Sequence, residues 1–265
     1  MKYLFAHWDS FKKKLDNKYI ILFLDYDGTL TPIVNSPAQA VIPVKIKELL
    51  SRLSQNPGCK LAIISGRALG DIKKMVGLEN IIYAGNHGLE LEGPKIRFQS
   101  PIRMRFKAFL KQIKNGLTKK LSSIKGVLIE DKGLSLSIHY RLVNKKKIAL
   151  LKNILHKTII SYLARKRIKT KAGKMVLEIT PPVKWDKGKV VLWLLARQRI
   201  FTAGKPFMPV YVGDDKTDED AFKVLKDKGL AIFVGRPRKS HAGYYLKNTQ
   251  ETARFLKKIL ELNEK

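Results

Sequence analysis

The 265-residue sequence predicts an α/β protein, a Rossmann-like parallel-sheet core with an inserted α+β cap. Three observations predict it. Short runs of buried-type residues alternate with stretches of helical period, as successive βαβ units require. Two of those runs end on closely spaced carboxylates, and open parallel sheets place their chemistry at the carboxyl ends of strands. Between residues 102 and 180 the rhythm changes, and there is far more chain than one crossover needs.

Taken in order, residues 20–24 (Ile-Ile-Leu-Phe-Leu) read as an interior strand, since a short apolar run bounded by a turn signal must be covered on both faces. Val44 to Leu53 repeats apolar residues at helical spacing. Further strands are expected at 60–64, 80–84, 209–212 and 230–234. In the inserted piece, Phe106 to Leu121 and Lys145 to Leu163 have helical patterns, while 126–130, 134–141 and 175–179 read as strands. The middle one alternates Leu134, Leu136 and Ile138 with Ser135, Ser137 and His139, so one face is apolar and the other polar. The core is assigned to residues 1–101 and 183–265 and the cap to 102–182, hinged near Ser100-Pro101 and Pro181-Pro182.

Composition bounds the possibilities. A hydrophobic content of 45% in a chain of this length supports a sizeable core. No apolar stretch approaches the roughly 18 to 20 residues of a membrane span. Met1 to Lys14 mixes His7, Trp8 and Asp9 into its apolar residues, so no signal peptide is expected and the cytoplasm is the expected compartment. The single cysteine, Cys59, allows no internal disulfide and has no partner cysteine for a metal site.

The first strand delivers Asp25-Tyr26-Asp27-Gly28-Thr29. Gly28 lets the chain leave the strand, so Asp25 and Asp27 can converge on one ion or substrate. Two like charges so close repel, and a hard divalent cation, Mg²⁺ first, relieves them. A turn with a helix cap would use the same tetrapeptide. The run Pro209 to Val212 repeats the design with Gly213, Asp214, Asp215, Asp218, Glu219 and Asp220. Asp214 is taken as the metal ligand. Asp215 and Asp218 stand as second-shell or structural candidates, and Asp218 to Asp220 also suit the first turn of a helix.

Two further elements lack acids at the strand end. Ser65-Gly66-Arg67 offers a hydroxyl, amides and a guanidinium, which bind phosphoryl oxygens at a helix start or act as an ordinary cap. Asp186 can cap the helix over Val190 to Leu195, which puts Lys187 in the first turn, where the macrodipole disfavours a cation. A nearby anionic site would explain that lysine, as would a solvated surface.

These four elements, in this order, resemble the haloacid-dehalogenase-like phosphatases. Within them, Gly85-Asn86-His87-Gly88-Leu89-Glu90, Asp131 to Arg141, Lys174 to Ile179 and Val212 to Phe222 make residues 18 to 260 similar to the trehalose-6-phosphate phosphatase family. One departure is Thr180 before Pro181, where family members often carry an arginine. The resemblance implies a HAD-like core and an aspartyl-phosphate mechanism on trehalose 6-phosphate. Asp25 is implied as nucleophile, Asp27 as proton shuttle, and Ser65 and Lys187 as stabilisers of phosphoryl charge. Mg²⁺ is implied on Asp25, Asp214 and the main-chain carbonyl of Asp27. Glu130, Lys132, Arg141 and Glu178 are implied contacts to the sugar, with Gly66, Arg67, Asn86 and His87 as further substrate neighbours. Sucrose-phosphate and mannosyl-phosphoglycerate phosphatases are the alternatives within the class.

The formal charge of +31 goes beyond what one phosphate needs. Residues 102–174 hold 21 lysines and arginines against Glu130 and Asp131 alone. A basic cap would steer a sugar phosphate toward the site. Residues 164–171 could equally meet nucleic acid, an anionic membrane surface or an acidic partner, such as the synthase that resembling enzymes work with. A basic binding module on a phosphatase scaffold is therefore the second hypothesis, although no nucleic-acid-binding motif accompanies the charge.

Overall fold

The computed structural model describes residues 1–34, 39–99, 103–173, 175–183 and 185–263. The chain divides into two compact units, Met1–Phe98 with Trp185–Lys265, and Gln99–Lys184. The first unit runs through β1 (Lys2–Tyr3), α1 (Trp8–Leu15), β2 (Tyr19–Leu24), α2 (Val44–Gln55), β3 (Cys59–Ile64), α3 (Leu69–Val76), β4 (Ile82–Gly85) and a hairpin of β5 (Glu90–Gly93) and β6 (Ile96–Gln99). The second unit holds α4 (Arg103–Leu121), β7 (Leu128–Asp131), β8 (Leu136–His139), α5 (Ile148–Ala164), β9 (Lys169–Gly173) and β10 (Val176–Thr180). The chain then returns to the first unit with α6 (Lys187–Leu195), α7 (Arg199–Thr202), β11 (Phe207–Gly213), α8 (Glu219–Leu225), β12 (Leu230–Val234), β13 (Tyr244–Leu246) and α9 (Thr249–Asn263).

Among the described residues, nine strands form one sheet in the order β1-β13-β12-β11-β2-β3-β4-β5-β6. From β1 to β4 the neighbours are parallel, and β5 adds antiparallel to β4. The apolar runs read from the sequence are continuous because both faces are covered. Ile20, Leu22 and Leu24 pack into one core with α1, α2 and α9, while Ile21 and Phe23 pack into another with α6 and α8. Val210 and Val212 join the first core and Tyr211 the second.

The second unit is a four-stranded antiparallel sheet, β7-β8-β10-β9, with its own core. Phe106, Leu110, Ile113, Leu117 and Leu121 recur at helical spacing along α4 and meet Leu151, Leu155 and Ile159 of α5 and the apolar side of β8. Several boundaries move. The strand expected at 134–141 is shorter, ending at His139, so Arg141 lies beyond it and is exposed. The helix expected from Lys145 starts with a 3₁₀ turn and becomes α only at Ile148. The polar face of β8 is not a solvated one, since Ser135 and Ser137 are both buried. The strands β1, β5, β6, β9 and β13 escape the sequence reading because they are short or carry charges at every other position. The hinge expected at Ser100-Pro101 lies outside the described residues.

Candidate active site

Four neighbouring strand ends make the site. β2 lies between β11 and β3, and β3 is followed by β4, so Asp214, Asp25, Ser65 and Asn86 all emerge at the same carboxyl edge. The order reverses at β2: the chain runs outward through β3 and β4 on one side of it and later through β11, β12 and β13 on the other, which makes the crevice where α/β sheets bind ligands. Hydrogen bonds extend the sheet past its last residues. Asp25 N donates to Val212 O at 2.9 Å and Ser65 N to Ala84 O at 2.9 Å.

The loop after β2 is a rigid cradle. Tyr26 turns inward, is fully buried, and donates its hydroxyl to Ala40 O at 2.8 Å. Its carbonyl accepts Leu30 N and Thr31 N, and Gly28 N donates to Thr31 O at 2.7 Å. Asp25 and Asp27 thereby leave the loop on either side of an anchored residue. Gly28 adopts φ +88, and a Cβ there would overlap the Asp214 carboxylate. Gly213 plays the same part for Asp218, whose carboxylate fills the space where a Cβ would be.

Asp25, Asp214 and Asp218 each place a carboxylate oxygen within 4.8 Å of the others, all at least partly buried. One cation is built into this cluster. Lys187 Nζ donates to Asp25 Oδ1 at 2.6 Å and to Asp218 Oδ1 at 2.7 Å, and the ammonium is buried. Asp186 does cap α6, accepting from Lys189 N at 2.8 Å, so the helix start carries Lys187 to the acids, which is the anionic site its position asked for. Asp218 also accepts from the Tyr211 hydroxyl at 2.8 Å and from Asp215 N at 2.9 Å.

The electrostatics follow from three carboxylates facing one ammonium. Burial pushes the Asp25 carboxyl well above the usual range, Lys187 opposes this, and Asp218 and Asp214 add to it. Burial alone would lower Lys187, but Asp218 and Asp25 outweigh it and hold the ammonium well above the ordinary lysine range. Burial, with Asp218 next, pushes Asp214 up to about 7. The Oδ1 atom of Asp214 is buried without a hydrogen-bond partner. A divalent cation with oxygen ligands fits this set, because it would satisfy the orphaned oxygen and offset the surplus negative charge.

The remaining sequence candidates fall in different places. Asp27 accepts from Arg67 Nε at 2.8 Å and from Nη2 at 2.6 Å, so the guanidinium expected on phosphate faces a carboxylate instead. Ser65 is buried and its Oγ accepts from Arg67 N at 3.1 Å. Asn86 and His87 are consecutive left-handed residues at φ 51 and 54, a costly backbone of the kind that clusters at functional sites. Asn86 Nδ2 donates to Glu90 at 3.1 Å, and the His87 ring fills the space beside Gly66. Asp215 is exposed and turned back onto Thr217 N, which keeps its side chain out of the carboxylate cluster.

In the second unit, Glu130, Ser137 and Glu178 pair across β7, β8 and β10 and share one face. Lys132 reaches Glu178 at 3.5 Å and Glu130 at 3.9 Å, and His139 Nε2 lies 2.8 Å from Glu130 Oε2. Of the contacts implied by the resemblance, Glu130, Lys132 and Glu178 come together, joined by His139 from the polar face of β8, while Arg141 lies beyond that strand. Sequence reasoning missed Tyr211, whose hydroxyl is hidden in an apolar run and becomes visible only through its bond to Asp218.

This sheet, with acids at its switch point and an inserted second unit, has the fold of a solved protein described as a haloacid dehalogenase-like hydrolase. That protein, from Bacteroides thetaiotaomicron, superposes with TM-score 0.64 at 15% identity, covering 91% of this chain and 100% of its own. The chain belongs to the trehalose-phosphatase family, whose profile matches residues 23–250. Trehalose-phosphate phosphatase B of Arabidopsis thaliana is 34% identical over 272 residues, 97% of this chain and 71% of the relative. A crystal structure described as a trehalose-6-phosphate phosphatase related protein is 25% identical, with TM-score 0.79, over 92% of this chain and 98% of its own. Among the described residues no helix is long and apolar enough to cross a membrane.

Proposed function

We propose that the protein is a Mg²⁺-dependent phosphatase that hydrolyses trehalose 6-phosphate to trehalose and phosphate. The observation that carries this reading is the buried cluster of Asp25, Asp214 and Asp218 around the Lys187 ammonium, in a chain of the trehalose-phosphatase family. A binding module would not require three costly buried carboxylates.

Asp25 attacks phosphorus in line, the P–O bond to the sugar breaks, and an aspartyl-phosphate forms. Asp27 protonates the departing sugar oxygen and then takes a proton from the water that cleaves the acyl phosphate. Lys187 balances charge on the transferring phosphoryl group while holding Asp25 in place. Ser65, whose oxygen already accepts from Arg67 N, keeps its own proton for a phosphoryl oxygen. Asp25, Asp214 and the Asp27 carbonyl would hold Mg²⁺, which when bound supplies Lewis-acid stabilisation of phosphoryl charge.

Selection of the sugar is assigned to the second unit. Glu130, Lys132, Glu178 and His139 form a converging polar set on one sheet face, the kind of group that reads sugar hydroxyls. Phosphate release from trehalose 6-phosphate, sucrose 6-phosphate and mannosyl-3-phosphoglycerate tests the assignment. Turnover of the first, abolished by EDTA and restored by Mg²⁺, is expected, and a preference for either of the others would overturn the choice of sugar.

A further inference from the structure

Arg67 was expected to bind phosphate, yet its guanidinium is committed elsewhere. Two of its nitrogens meet the two oxygens of Asp27 side on, Nε to Oδ2 at 2.8 Å and Nη2 to Oδ1 at 2.6 Å. A bidentate pairing of this kind fixes a carboxylate in rotation as well as position. The arginine is itself held. Its guanidinium carbon lies 5.5 Å from the centroid of the buried Tyr26 ring, Nη1 contacts Met75 Sδ at 3.4 Å, and its backbone is tied by N to Ser65 Oγ and by O to Asn86 N. The Arg67 side chain is 12% exposed whereas Asp27 is 44% exposed. A largely covered, anchored cation thus presents a solvent-accessible carboxylate, the reverse of a flexible surface pair.

Resting on the phosphatase reading above, we infer that Arg67 is a positioning residue for Asp27, aiming the acid that protonates the leaving oxygen, and is not a phosphate ligand. Each carboxylate oxygen has two lone pairs, and Arg67 occupies one on each, so the outer pair stays available to carry the transferable proton. The proton passes from Asp27 to the departing alkoxide as the P–O bond breaks, leaving Asp27 as the carboxylate that Arg67 holds. Such alignment matters for a sugar alkoxide, which leaves poorly without a proton. It matters little for p-nitrophenolate, which leaves unaided.

The test is kcat/KM, which reports the steps through leaving-group departure, for trehalose 6-phosphate and p-nitrophenyl phosphate with Mg²⁺. Measurements are made on the wild type, Arg67→Ala and Arg67→Lys, with thermal midpoints for each. Positioned acids contribute about 10² to 10⁴ in rate. Arg67→Ala is expected to lose at least about 100-fold on the sugar phosphate and less than about tenfold on the aryl phosphate, and added guanidinium ion to recover part of the sugar-phosphate rate. Arg67→Lys keeps the charge but not the two-point contact, and should show the same imbalance in milder form. Comparable losses on both esters in the two variants, or none on either, would overturn the assignment to Asp27. A wild type inactive on both esters with Mg²⁺ would instead sink the phosphatase reading itself.

Discussion

Lys187 Nζ lies 2.6 Å from Asp25 Oδ1, although the two residues are 162 positions apart in the chain. The contact is buried on both sides, and Lys187 makes a second one to Asp218. Removing the ammonium would strand two buried carboxylates. Lys187→Ala should therefore lower the unfolding free energy by about 3 to 5 kcal/mol and abolish turnover. Urea unfolding followed by tryptophan fluorescence measures the first effect, and an unchanged midpoint would refute it.

Asp25→Asn removes the proposed nucleophile while leaving an acceptor for Lys187. Turnover of every phosphate ester should vanish, with far-ultraviolet circular dichroism unchanged. Residual Mg²⁺-dependent activity would show that Asp25 is not the attacking group.

Gly28→Ala places a Cβ where the Asp214 carboxylate stands, at a φ of +88 that L residues rarely adopt. Asp214 must move or the loop must. If Mg²⁺ stabilises the wild type as proposed, the variant should lose most of that thermal stabilisation, as read by differential scanning fluorimetry, and a wild-type response would contradict the proposed ligand role of Asp214.

The raised Asp214 carboxyl predicts how metal-free protein responds to pH. Its folded value of about 7 exceeds the ordinary carboxylate value of about 4, so between these limits the folded state binds more protons than the unfolded one. The contribution of this group to stability in EDTA, read as the wild type minus Asp214→Asn, should therefore fall as pH rises from about 4 to 7, by an amount on the order of a few kcal/mol. Mg²⁺ held by Asp214 would take the place of the proton, and its addition should flatten the decline. A metal-free pH dependence over that interval that is the same in Asp214→Asn as in the wild type would contradict the burial of Asp214.

Glu178→Ala deletes a carboxylate that Lys132 faces at 3.5 Å. If the second unit reads the sugar, kcat/KM on trehalose 6-phosphate should fall about 10- to 100-fold while p-nitrophenyl phosphate is spared. Equal losses would point to misfolding or a misplaced site.

Burial thermodynamics made much of this legible in the chain. Strands β2, β11 and β12, and β3 from Leu61 onward, carry no charged residue because helices cover both faces, and that composition survives in one dimension as short apolar runs. Asp186 and Lys187 were readable for a similar local reason, since a cap and a first turn are set within four residues. The short strands β1 and β13 were not, because a strand of two or three residues carries no period.

Asp25, Asp27, Asp214 and Lys187 stood out as candidates because each sits at the end of a locally coded element, and the family resemblance implied their roles. Their partners could not. That Asp218 anchors Lys187 and Tyr211, that Asp215 turns outward, and that Arg67 grips Asp27 all depend on which strands lie side by side and how their ends are twisted. Local sequence encodes where the backbone bends and which face is apolar, because those are short-range sterics and solvation. Which charge meets which is decided when β11, β2 and β3 pair, and the desolvation cost of each buried group then admits very few arrangements.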